Sequence, residues 1–137
     1  MTGKHARAHE RSTRPRNIAV VGCGHVGLVM AAGFASLGHQ VVGVDKDPEL
    51  VAELLRGSLR INEDGLPQLV AQGVAAGRLH FTTAYADTIP EAEFIFLAVD
   101  TPQTLGGASD LRNLRAAARS VAASVNGIGP IVVNKST

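Results

Sequence analysis

The chain has 137 residues, 45% apolar and 18% charged, with a formal net charge of +1, which is the size of one compact domain able to bury a core. Aromatic residues make up only 4%, with no Trp and one Tyr, so the core must be aliphatic and a stacking platform for single-stranded nucleic acid is excluded. The single cysteine, Cys23, excludes an internal disulfide and a multi-cysteine zinc site, and no run approaches the ~20 apolar residues of a membrane span.

Charge is unevenly spread. Residues 1–16 hold five of the thirteen Lys and Arg (Lys4, Arg7, Arg11, Arg14, Arg16) against one acid, Glu10, and show no apolar periodicity. Such a segment buries too little surface to offset its ordering entropy, so 1–16 is expected to be a disordered, solvated leader rather than a nucleic-acid or membrane arm. It also lacks the apolar run of a signal sequence, which makes the cytoplasm the expected location.

From Asn17 onward, short apolar runs alternate with helical patterns, the signature of a parallel α/β domain over 17–137. Residues 18–21 (IAVV) read as a strand buried on both faces. Val26, Met30, Phe34 and Leu37 then recur at helical spacing before Gly38, predicting a helix over 25–37. A second strand, 41–44, closes at Asp45, and Asp47 followed by Pro48 reads as an N-cap and first helical position. A polar loop, 57–65, precedes a short helix over 66–74, then a third strand at 79–82 and a fourth at 94–99. The positions Leu111, Leu114, Ala118, Val121 and Val125 predict a helix starting at Asp110, and 130–135 is the fifth strand. Right-handed crossovers give a Rossmann-type doubly wound sheet in the order 3-2-1-4-5, truncated before a sixth strand, with the fifth as an unpaired edge.

The sequence Gly22-Cys23-Gly24-His25-Val26-Gly27 is a G-x-G-x-x-G turn joining the first strand to the first helix, and Asp45 follows Gly27 by 18 positions. Gly22 permits the tight turn, Gly24 lets a pyrophosphate approach the backbone, and Gly27 allows close packing of the helix, whose free amides meet the phosphate charge. A carboxylate at position 45 accepts the hydroxyls of an adenosine ribose and repels a 2′-phosphate, which favours NAD over NADP as cofactor. Lys46 is expected to point to solvent. Cys23 reads as a buried filler rather than a nucleophile, and His25 as a lining or cofactor-contact residue, since no Asp or Glu stands at a spacing that suggests a relay. His39 and His80 read as surface residues.

These residues, with Phe34-Ala-x-x-Gly-His39, Val44-Asp-x-Asp47, Glu63-x-Gly-Leu66, Gly77-Arg-Leu-x-Phe-Thr-Thr83, Ala98-Val-x-Thr-Pro102, Ser109-Asp-Leu111 and Lys135-Ser-Thr137, resemble the nucleotide-sugar 6-dehydrogenases that act on UDP-glucose, GDP-mannose and UDP-N-acetylmannosamine. The resemblance covers essentially all of 17–137. It implies that Ala98, Val99, Asp100, Thr101 and Pro102 lie along the cofactor, and that Thr137 reaches the nicotinamide region and helps place a water near the reacting carbon. It further implies oxidation of a sugar C6 hydroxyl to a carboxylate by two NAD, through a thiohemiacetal and a thioester on a Cys of a second domain. Against the family pattern, His25 stands in place of a usual Tyr, and Asp100 in place of a usual Gly or Asn.

The expected function is therefore the NAD-binding part of a nucleotide-sugar dehydrogenase, inactive alone. The expected partners are NAD and either a complementary substrate-domain chain or a second copy joined at the exposed strand edge. A non-catalytic NAD-sensing or interaction module is the alternative. A hydroxyacid or 6-phosphogluconate type of dehydrogenase fits less well, because of the 77–83 and 135–137 segments.

Overall fold

The computed structural model describes residues 14–126 and 129–136. Its elements run β1 (Asn17–Val21), α1 (His25–Ser36), β2 (Gln40–Val44), α2 (Pro48–Leu55), α3 (Leu66–Ala75), β3 (Leu79–Thr82), α4 (Tyr85–Thr88) with a 3₁₀ turn at Ile89–Glu91, β4 (Phe94–Leu97), α5 (Arg112–Ser124) and β5 (Ile131–Asn134). The five strands form one parallel sheet in the order β3-β2-β1-β4-β5, as the crossover rule predicts. The pairings Val21↔Val44, Val21↔Leu97, Val44↔Thr82 and Leu97↔Asn134 bring all five carboxyl ends level along one edge. In a doubly wound sheet, that edge is where ligands collect.

The apolar run of β1 divides its side chains between two layers. Ile18 and Val20 join Leu28, Ala31, Ala35, Val41, Leu54, Val70 and Leu79 in a core beneath α1, α2 and α3. Ala19 and Val21 join Ile89, Ile95, Leu97, Ala117 and Val121 in a smaller core beneath α5 and the 3₁₀ turn. Both faces are covered, which explains why β1 carries no polar residue after Asn17. Small side chains let α1 lie close to the sheet and to α3: Ala31, Ala32 and Ala35 are fully buried, and a Cβ at Gly73 would stand 3.3 Å from the Ala35 Cβ.

Local signals set several boundaries. The Asp47 carboxylate accepts the amides of Glu49 and Leu50 at 3.0 and 3.3 Å, the N-cap expected ahead of Pro48. The helix predicted from Asp110 begins instead at Arg112, because the Asp110 carboxylate is outside the helix, accepting the Arg112 amide at 3.0 Å and its guanidinium at 2.6 Å. The single turn of α4 was not foreseen, being too short to show a helical period.

The end of the basic leader is tied down. Residues 1–13 lie outside the described range, but Arg14 and Arg16 reach the Glu93 carboxylate at 2.8 and 3.2 Å, and the Asn17 amide donates to it at 2.9 Å. The Asn17 amide and the two guanidiniums hold the Glu93 carboxyl below the usual carboxylate range. A depressed carboxyl stabilises the fold above its unfolded value of about 4.3 and ceases to do so as pH falls through its native value. The expected result is a Tm that declines below about pH 4.3, with a shallower decline in Glu93→Gln, measured by thermal melting across pH.

Among the described residues, β5 pairs with β4 alone, and Ile131 and Val132 are 60% and 48% exposed. No helix of the described residues is long and apolar enough to cross a membrane.

Candidate dinucleotide site

At the level edge of the sheet, the turn after β1, the ends of β2 and β4, the loop before α3 and the first turns of α5 enclose a crevice of about 550 Å³. Its geometry begins with backbone. Gly22 has φ +99°, and a Cβ there would lie 2.6 Å from the Ala98 carbonyl oxygen, so only glycine lets β1 turn beneath the end of β4. Gly24 is the N-cap residue of α1 and offers no side-chain cap, leaving the first amides of the helix open toward the crevice. Gly27 faces the turn itself: its Cβ would stand 1.7 Å from the Gly22 carbonyl oxygen and 3.5 Å from the Ala98 Cβ.

Asp45 sits beside this turn. One carboxylate oxygen accepts the Cys23 amide at 2.8 Å, and the other accepts the Asp47 amide at 3.0 Å. Each oxygen keeps a second lone pair for a ligand hydroxyl. The same bonds fix the carboxylate in the crevice wall.

Cys23 has its side chain on the core side of the turn, 2% exposed. It fills space that Gly43 leaves open in β2: a Cβ at Gly43 would meet the Cys23 sulfur at 2.8 Å. Burial, and then the charge of Asp45, push the thiol up to about 12. Cys23 is therefore expected to resist maleimide or disulfide reagents at neutral pH while the protein is folded and to react promptly in denaturant. Labelling in the native state at the rate of a free thiol would contradict this placement.

Three side-chain pairs on the crevice rim were not legible in the sequence. His25 Nε2 lies 3.0 Å from Glu63 Oε2, an acid that no sequence spacing pointed to, since it is 38 residues away and arrives with the loop before α3. Lys46 does not point to solvent alone, since its Nζ donates to Asn113 Oδ1 at 2.8 Å, and Asn113 Nδ2 donates to the Asp100 carbonyl at 3.3 Å. Arg60 grips both Glu53 oxygens at 2.7 and 3.0 Å and lies 3.6 Å from Asp47. The Arg60 guanidinium holds the Glu53 carboxyl below the usual range. Tyr85, half-buried in the wall, has its phenol pushed up by burial and by the Asp45 charge.

Of the residues singled out in the sequence, Gly22, Cys23, Gly24, His25, Asp45, Ala98, Val99 and Asp100 line the crevice together. Val26, Gly27, Thr101 and Pro102 are not in its lining; Val26 is exposed on α1, and Gly27 supports the turn from behind. Thr137 lies outside the described residues. Lys46, Arg60, Tyr85 and Asn113 join the lining without having been foreseen. Among the described residues, no cluster of three or more His, Cys, Asp or Glu could hold a metal ion.

Residues 16–137 match the NAD binding domain of the UDP-glucose/GDP-mannose dehydrogenase family. The chain belongs to that family. It is 45% identical over 121 residues to a UDP-glucose 6-dehydrogenase of Rhizobium meliloti (strain 1021), covering 88% of this chain and 28% of that protein. A solved UDP-glucose dehydrogenase from Pyrobaculum islandicum superposes with a TM-score of 0.84 at 39% identity, over 93% of this chain and 30% of that one. A GDP-mannose dehydrogenase from Pseudomonas aeruginosa gives 0.84 at 31% identity, over 88% and 28%. The chain thus spans just over a quarter of the length of the curated relatives it matches. As a UDP-glucose/GDP-mannose dehydrogenase NAD-binding domain, it has a crevice whose chemistry suits such a cofactor, since uncapped helix amides could hold a diphosphate and the fixed carboxylate beside them a ribose diol.

Proposed function

We propose that the chain holds NAD across the carboxyl ends of β1, β2 and β4 and serves as the cofactor-binding part of a nucleotide-sugar 6-dehydrogenase, one that oxidises a C6 hydroxyl such as that of UDP-glucose to a carboxylate. The observation that carries this is the fixed Asp45 carboxylate beside the uncapped start of α1. The amides of α1 take the diphosphate, with Gly24 giving it access to the backbone. Asp45 accepts the adenosine ribose hydroxyls, and Ala98, Val99, Asp100, Thr101 and Pro102 lie along the cofactor. Thr137 is assigned to the nicotinamide end, where it helps place a water. When bound, NAD supplies the hydride acceptor. The reacting thiol of such an enzyme is not Cys23, the one cysteine of these 137 residues, because that sulfur is buried and strongly disfavours the thiolate.

Calorimetry should therefore find saturable NAD binding to the purified chain, and absorbance should find no NADH formed from NAD and UDP-glucose. Absence of NAD binding overturns the cofactor assignment; turnover by the chain alone overturns the division of roles.

A second reading rests on β5, whose outer edge and exposed Ile131 and Val132 suit strand pairing with another chain. It makes the domain an NAD-responsive interaction module, pairing with a substrate-domain chain or a second copy. Sedimentation showing an assembly that is lost on Ile131→Lys would favour it.

A further inference from the structure

Three carboxylates line the crevice, those of Asp45, Asp47 and Asp100, and the last lies beside the glycine at the start of α1. A Cβ built on Gly24 would find only two atoms within 4 Å, the carboxylate oxygens of Asp100, at 3.8 and 3.9 Å. The missing side chain at Gly24 is what lets a diphosphate reach the amides of α1. Asp100 thus holds an anion over the place an anionic ligand must enter.

The neighbouring cations already have partners: Lys46 donates to Asn113, and Arg60 is paired with Glu53 and Asp47. Asp45 is also negative, but both of its oxygens accept backbone amides. The Asp100 carbonyl is held by Asn113, which fixes the backbone of this residue while its carboxylate stays exposed on the rim.

We propose that Asp100 is an affinity-setting residue: its carboxylate competes with the cofactor diphosphate for the start of α1, so NAD binds more weakly and leaves faster than the glycine turn alone would allow. This rests on the NAD reading above. A carboxylate lying beside Gly24 repels a diphosphate bound at the start of α1, and at an exposed position the repulsion weakens as salt rises.

The test compares the chain with Asp100→Asn, which keeps the shape and removes the charge, and with Asp100→Gly. Calorimetry at low salt should show NAD bound about tenfold more tightly by both variants, ~1.4 kcal/mol. The gap should shrink to about threefold or less at ~0.5 M salt. Adenosine, which carries no phosphate, should bind the chain and both variants alike in an NMR titration. Equal or weaker NAD binding by Asp100→Asn overturns the proposal, since the carboxylate would then be indifferent or a hydrogen-bond acceptor for the ligand. A gain for adenosine as large as for NAD overturns it as well. If neither the chain nor the variants bind NAD at any salt, the cofactor reading itself falls, whereas equal binding by all three sinks only the role of Asp100.

Discussion

Replacing Gly27 with alanine is expected to abolish measurable NAD binding and to lower stability by about 1–3 kcal/mol or more. The added methyl would stand 1.7 Å from the Gly22 carbonyl oxygen and 2.8 Å from its carbonyl carbon, both backbone atoms that no rotamer change can move. Relief requires the start of α1 to withdraw from the turn, which displaces the amides and the Asp45–Cys23 bond together. Against a typical total stability of about 5–15 kcal/mol, the loss should be plain in urea unfolding. Gly33→Ala is the control, because Gly33 lies in the same helix with open space where its Cβ would be. That change should stabilise the protein by roughly 0.5–1 kcal/mol and leave NAD affinity unaltered. Equal behaviour of the two variants would mean that the close approach at Gly27 does not shape the turn.

Asp45→Ala should weaken NAD by about tenfold to a hundredfold, which corresponds to ~1.4–2.8 kcal/mol. The substitution removes the proposed acceptor for the ribose hydroxyls and also orphans the Cys23 and Asp47 amides, so a stability loss of about 1–3 kcal/mol should accompany it. Asp45→Asn separates the two effects. Its one amide oxygen can still accept one of the two backbone N–H groups while the other loses its acceptor, so part of the stability loss should remain, smaller than in Asp45→Ala, while the negative charge is gone. The expected signature is a preference for NAD over NADP that narrows in Asp45→Asn, read by parallel titrations with the two dinucleotides. An unchanged preference would show that Asp45 does not decide between them.

Much of this site could be read before any coordinates, because its parts are local in sequence. The IAVV run, the glycine turn, the Asp47-Pro48 helix start and the carboxylate closing β2 each sit within a few residues of the chemistry they serve, and the crossover rule then fixes the strand order. The hidden parts join distant segments. Glu63 meets His25 across 38 positions, Asn113 meets Lys46 across 67, and Glu93 gathers Arg14 and Arg16 across 79 and 77. Each pair involves exposed, long or polar side chains that carry no periodic signal, and their meeting follows from how loops lie over the finished sheet. Tyr85 entered the crevice wall for the same reason: it starts a helix of one turn, below the length at which a pattern can repeat.

The two layers over the sheet are unequal, and this governs how the crevice can respond to an incoming molecule. The wall carrying α1 is anchored by five buried residues of that helix and by its contact with α3, whereas α5 on the opposite side commits only Ala117 and Val121 to the interior. The first wall is the more deeply anchored of the two. If the crevice widens to admit a ligand, the smaller buried contact of α5 makes that wall the less costly one to displace.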